Sequence, residues 1–220
     1  MTSPVRLAVV TGGHSFDVPA FHELFRHMEE ISAYIQSMDD FASSTREIRR
    51  HYDAILFYTM LQEGPVDEGL PWYAGTPLTT LSDLGAAQQG LVVLHHALLA
   101  YPEWPVWDAL TGISCRSFEY HLDQTVRSDI ARGDHPITQG LDSWVKVDET
   151  YEMPEPGEDS EILLTCDHLK SMNAIAWTRR YGKARVFCYQ GGHDSQAYSH
   201  RNFQEVLRRG ILWSAGRLAP

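Results

Sequence analysis

Imidazole is the side chain suited both to carry a proton near neutral pH and to bind a divalent metal through a neutral nitrogen. This chain has eleven histidines in 220 residues. Four stand where a buried apolar run stops. His14 follows Gly12-Gly13, His95-His96 follow Leu91 to Leu94, and His193 follows Gly191-Gly192 and precedes Asp194. Glycines at such points let the backbone turn tightly and let a ligand come close. A catalytic zinc takes three His, Asp or Glu ligands and keeps one position open. The candidate ligands are His14, His96, His121, Glu149 and His193, a spatial set without HExxH or another fixed spacing. As acid–base groups, His96 and His193 are the candidate base or ligand, Glu149 their partner carboxylate and Asp194 the orienter of His193. Adjacent residues at a strand end point to opposite sides. Of the His95-His96 pair one is therefore expected to face a crevice, and we take His96; His95 is expected to pack beneath a helix. His121 taken alone reads more simply as an ordinary hydrogen-bonded residue, and His22, His27, His51 and His200 as solvated helix faces. Tyr58 ends another apolar run, and Trp104 and Trp107 follow the histidine pair. Flat aromatic faces stack on sugar rings, so Tyr58, Trp104, Trp107 and His14 are the candidate substrate contacts. Hydrophobic core is the simpler reading of Trp107.

These groups need elements to carry them. Leu7 to Val10, Asp53 to Tyr58 and Leu91 to Leu94 are continuous apolar runs, the pattern of strands buried on both faces. Ala33 to Met38 reads as a further strand. Between the runs lie helical patterns: Phe21, Leu24, Phe25 and Met28 after Pro19, a polar helix over Ser44 to His51, and Thr76 to Gln89 with Leu78, Leu81 and Leu84 on one side. Strands alternating with helices give an α/β fold with a parallel sheet covered on both faces. In the second half Arg116 to Ile130 and Trp144 to Val147 alternate, and Glu161 to Thr165, Ala174 to Thr178 and Arg185 to Tyr189 are further strands. They predict an antiparallel extension of the same sheet. An amphipathic helix over Arg201 to Ala215 closes one domain spanning residues 1–220. Ligands of open α/β sheets bind at the carboxyl ends of strands, where these histidines stand.

Composition bounds the chemistry. Hydrophobic residues are 43% and charged residues 21%, with a formal net charge of −11 from 18 Lys and Arg against 29 Asp and Glu. A nucleic-acid binder needs cations to displace phosphate counterions, and an anionic membrane surface repels such a chain, so neither is an expected partner. There are three cysteines and no CxxC pair, which fits a reducing cytosol. No secretory signal pattern is read at the amino terminus. The apolar stretch Leu91 to Ala100 is interrupted by the histidine pair and too short to span a bilayer. GxGxxG, GxxxxGK[ST] and GxSxG are absent, so no nucleotide cofactor is expected.

Several segments in order resemble the ThuA-like family, named for trehalose utilisation. They are Leu91 to Ala97 with Trp104 to Gly112, His135 to Leu141, Asp148 to Tyr151, Ala176 to Phe187 running on through Gly192-His193-Asp194, and Arg209 to Gly216. The resemblance implies a flavodoxin-like three-layer sandwich related to class I glutamine amidotransferases. Those enzymes carry a nucleophilic Cys on the turn after a central strand; here that turn reads Leu94-His95-His96-Ala97. Glutamine hydrolysis through a thiolate is therefore not expected. The implied role is catabolism of a disaccharide through 3-keto derivatives, with a small-molecule sugar as partner. Isomerisation or elimination after proton abstraction beside a ketone suits a His or Glu base. A divalent metal (Zn, Mn or Fe) is a candidate cofactor that would hold the enediolate. The competing expectation is a non-catalytic sugar-binding or scaffold protein with a degenerate amidotransferase-like site. A third, a hydrolase using Cys115, lacks a strand-to-helix turn at that thiol. Domains of this kind are commonly homodimers.

Overall fold

A computed structural model describes residues 3–218. Nine strands form one sheet in the order β2-β1-β3-β4-β9-β8-β7-β5-β6. The first five in that order, β2 (Ile31–Ser37), β1 (Val5–Gly12), β3 (Ala54–Thr59), β4 (Gly90–Leu94) and β9 (Ala184–Tyr189), pair parallel. From β9 onward β8 (Ala174–Tyr181), β7 (Glu161–Thr165), β5 (Glu119–Ile130) and β6 (Trp144–Glu152) pair antiparallel. The α/β class and the antiparallel second half are as the alternating patterns predict.

Period-two alternation divides the core between the two faces. Leu7 and Val9 of β1 join Phe21, Leu24 and Phe25 of α1 (Val18–Arg26) and Phe203, Val206, Leu207 and Ile211 of α7 (Arg201–Ser214). Ala8 and Val10 face the other way. They meet Phe41 of α2 (Met38–Ser43), Leu81 of α4 (Pro77–Ser82), and Trp107 and Leu110 of α5 (Pro105–Thr111). Both faces are covered, which is why the parallel strands read as unbroken apolar runs.

Local chemistry sets the helix boundaries. Asp17 caps α1 through Ala20 N, and Ser37 caps α2 through Asp40 N. Met38 therefore opens a helix rather than closing β2. The polar helix expected over Ser44 to His51 is shorter: α3 (Arg46–Arg49) is capped by Thr45, and Ser44 before it is extended and separates it from α2. The helix expected through Gln89 stops after Ser82, and Gly85 adopts φ +77° with its carbonyl receiving Lys183 N. Among the described residues no helix is long and apolar enough to cross a membrane.

Gly210 lets α7 lie directly on the sheet: an added Cβ there would enter the Phe187 ring. An alanine in mid-helix normally gains about 1 kcal/mol over glycine, while overpacking a buried ring costs about 1–3 kcal/mol. Phe187 is fully buried in β9 and has little room to move. Gly210→Ala is therefore expected to lower stability by up to about 2 kcal/mol, read as a lower urea midpoint at unchanged slope.

Candidate active site

The first chemistry appears where β4 ends. Leu94 is still extended, but His95 takes φ +55° and starts a 3-10 turn over His95–Leu99. A non-glycine residue held in the left-handed region is strained by about 1–3 kcal/mol and persists only where its surroundings fix it. Here they do. His95 is fully buried, and its Nδ1 donates to the carbonyl of Gln190 at 2.7 Å. Its Nε2 faces three groups: Tyr151 Oη at 2.8 Å, Glu149 Oε2 at 3.0 Å and His193 Nδ1 at 3.2 Å. Glu149 Oε2 also lies 3.2 Å from His193 Nδ1 and accepts from Tyr151 Oη at 2.9 Å. Three separate elements thus deliver two imidazoles, a carboxylate and a phenol to one point. Glu149 and Tyr151 share a face of β6 because they are two residues apart.

The electrostatics follow from the contacts. Burial alone would push the Glu149 carboxyl up. Hydrogen bonds from His193 and His95 outweigh it, holding the group well below the usual carboxylate range. His193 is half-buried, and the Glu149 carboxylate raises its pKa against the opposing effect of burial. Tyr151 is pushed up by burial first and by the neighbouring Glu149 charge second, so it stays a neutral donor.

Behind His193 the backbone is gripped from both sides. The Asp148 carboxylate accepts from Gly192 N at 2.9 Å, His193 N at 3.0 Å and its neighbour Glu149 N at 2.9 Å, and it pairs with buried Lys146. Tyr58 Oη lies 2.8 Å from the Gly192 carbonyl oxygen and 2.6 Å from Tyr198 Oη, which donates to the His193 carbonyl at 3.1 Å.

The expected residues divide. Glu149 and His193 meet; His96 does not join them. The structure brings His95 to this point instead, because the left-handed turn ends the strand alternation on which the choice of His96 rested. His96 is buried against the Tyr58 ring, 4.1 Å between centroids, and neither of its ring nitrogens has a hydrogen-bond partner among the described residues. Burial first, then the His95 and His14 imidazoles, pushes its pKa down to about 2. His14 is exposed over this pair, its ring 4.6 Å from His96 and 6.3 Å from His193. His121 is elsewhere on the β5–β6 ribbon, 2.6 Å from Glu152 and grouped with Glu119. Asp194 does not orient the His193 ring; its carboxylate caps α6 (Ser195–Tyr198) through Gln196 N and Ala197 N. Tyr58 is buried beneath the site rather than lining it. Trp107 is core, its Nε1 donating to the Ala97 carbonyl at 2.9 Å, and half-buried Trp104 packs edge-on against Tyr101 at 5.6 Å. From the sequence, Tyr151, Asp148 and Lys146 carry no site role, and His95 is expected beneath a helix. The period-two spacing from Glu149 is the one local signal that points to Tyr151. Two groups among the described residues have ligand atoms within 4.8 Å of one another: Glu119, His121 and Glu152, mostly exposed, and His95, Glu149 and His193, mostly buried at this centre.

The comparisons agree with this architecture. A ThuA-like protein from Parabacteroides merdae superposes with a TM-score of 0.75 at 19% identity, covering 99% of this chain and 92% of that one. A cytoplasmic protein from Salmonella typhimurium gives 0.67 at 11% identity, over 94% and 98% of the two chains. A glutamine amidotransferase from Thermotoga maritima gives 0.56 at 8% identity, over 97% and 99%, and so shares the fold. No curated protein matches the chain. A sequence model of the ThuA family, described as trehalose utilisation, matches residues 11–214. The chain belongs to the ThuA family and with it to carbohydrate-related function in trehalose utilisation.

Proposed function

We propose that the chain is an enzyme of carbohydrate breakdown that moves a proton on a disaccharide or a 3-keto glycoside, with His193 as the proton carrier. The observation that carries this reading is the Glu149 carboxylate against His193 Nδ1 at 3.2 Å. A carboxylate on one ring nitrogen fixes the tautomer and raises the basicity of the other. His193 Nε2 has no hydrogen bond among the described residues, and the ring is the half-exposed member of the centre. A C–H bond beside a ketone is acidic enough for such a base, and the enediolate left behind isomerises or eliminates a neighbouring glycosidic oxygen. No cysteine stands at the elbow after β4, so thiolate chemistry is not part of the reading. The cytoplasm is the setting we assign, as described for the Salmonella neighbour. The test is incubation of the protein with a 3-keto disaccharide in D2O. Deuterium should enter at a carbon beside the ketone, and not in the unoxidised disaccharide. A 3-keto disaccharide that is neither labelled nor consumed contradicts the proposal and leaves the sugar-binding alternative.

One observation favours a second reading, a metal-assisted form of the same step. His95 Nδ1 donates to the Gln190 carbonyl, so Nε2, 3.0 Å from Glu149 Oε2, is the ring nitrogen left to share a proton or a cation with that carboxylate. Two acceptors that close need a proton or a cation between them. A divalent ion (Zn, Mn or Fe) would be held by His95 Nε2, Glu149 Oε2 and His193 Nδ1 and would stabilise the enediolate oxygen. Metal analysis decides between them. One ion per chain that disappears in Glu149→Gln supports the ion, whereas metal-stripped protein that still exchanges deuterium supports the proton.

A further inference from the structure

Glu149 and His193 come from parts of the sheet that do not touch. Glu149 is on β6 at the edge, His193 follows β9, and β8, β7 and β5 lie between these strands. Something must join them. The only charged group that contacts both backbones among the described hydrogen bonds is the Asp148 carboxylate. Oδ1 accepts from the amides of Glu149 at 2.9 Å and His193 at 3.0 Å, and Oδ2 accepts from Gly192 at 2.9 Å and pairs with Lys146 Nζ.

We propose that Asp148, neutralised by Lys146, is the positioning residue of this centre: it fixes the Gly192–His193 backbone so that the His193 ring meets Glu149. Three features support this. First, the carboxylate lies directly against the backbone it holds. An added Cβ at Gly191 would stand 2.6 Å from Lys146 Nζ and 2.9 Å from Asp148 Oδ2, so glycine is what admits the pair. Second, the loop can reach the pair only by an unusual path. Gly192 has φ +112°, and a Cβ there would stand 2.9 Å from Phe203. Third, the pair is placed where charge is costly. Asp148 and Lys146 are 3% and 6% exposed, with Nζ 5.6 Å from the Phe203 ring centroid and 6.0 Å from that of Tyr189. A buried ion pair seldom adds stability over apolar residues of the same volume. Stability alone therefore gives no reason for this one, whereas orientation of a proton carrier does. The amide side of the loop is held by Asp148 and the carbonyl side by Tyr58 and Tyr198, which fixes the backbone that carries the His193 ring.

The inference rests on His193 as the proton carrier, and the experiment separates failure of the two. Two variants are compared with wild type: Asp148→Asn, and the double variant Lys146→Met with Asp148→Leu. The double variant removes both charges and so leaves neither unpaired in the core. With a 3-keto disaccharide, kcat is expected to fall about 100-fold in both, the loss that follows roughly 1 Å of misplacement, with KM changed by less than about threefold. The melting temperature of the double variant is expected to fall, because the amides of Glu149, Gly192 and His193 lose their acceptor, so kcat is measured well below it. In proton NMR, the low-field signal of His193 Nδ1–H on Glu149 is expected in wild type and lost in both variants. Recovery of kcat together with stability in the double variant overturns the proposal, because the pair is then structural. So does a low-field His193 signal that survives in the double variant. Wild-type protein that shows the signal but turns over no keto sugar rejects the assigned reaction and leaves the positioning role standing on the NMR result.

Discussion

Replacing His193 by alanine is expected to lower turnover of a 3-keto disaccharide by about 10²–10⁴-fold, the usual contribution of a positioned general base. The fold should hardly notice. The His193 side chain is 24% exposed, and it donates to a carboxylate that keeps Tyr151 as a second donor. Losing one such hydrogen bond costs about 1–2 kcal/mol, or a few degrees in Tm for a chain of this size. Steady-state kinetics and calorimetry on the same preparations check both halves. Unaltered turnover rejects the assignment, and a collapsed Tm would mean that the ring is structural.

His96 predicts a different behaviour, in stability rather than rate. Its ring is 1% exposed, is neutral at pH 7, and has its pKa pushed down to about 2. The unfolded chain protonates this side chain near pH 6.5. Between those values the unfolded state binds a proton that the folded state refuses. The His96 contribution is therefore complete above about pH 6.5 and is lost as pH falls toward 2, at about 1.4 kcal/mol per unit. Near pH 4.5 the loss reaches about 3 kcal/mol, a large part of a typical total of 5–15 kcal/mol. Urea unfolding of wild type and His96→Phe at a series of pH values isolates it. The variant should lack this one-proton slope. Equal slopes would mean that His96 is protonated or solvated in the folded state.

The parallel half of the sheet was legible because its strands are buried on both faces and are written as unbroken apolar runs such as Leu91 to Leu94. The antiparallel half was legible from alternation. The helix ends at Ser82 and Ser43 were less so, since turn and capping geometry decides them. In the site, Glu149 and His193 were legible because carboxylate and imidazole chemistry marks them wherever they stand. The choice of His96 over His95 failed for a physical reason. His95 lies at φ +55°, where strand alternation no longer holds. Asp148 and Lys146 lay one and three residues from Glu149, yet their role depends on β6 meeting the loop after β9. That contact spans three intervening strands and has no local signature. Asp194 adjoins His193 in the chain, yet its carboxylate serves the first turn of α6.

The most direct test of the centre is the side-chain ¹⁵N spectrum of the histidines in metal-stripped wild type and Glu149→Gln. The ring signals of His95 and His193 should both move when that single charge is removed, while those of His121, paired with Glu152, stay in place. A His193 signal that ignores the substitution would show that the two side chains do not meet in solution, and the proposed proton carrier would lose its partner.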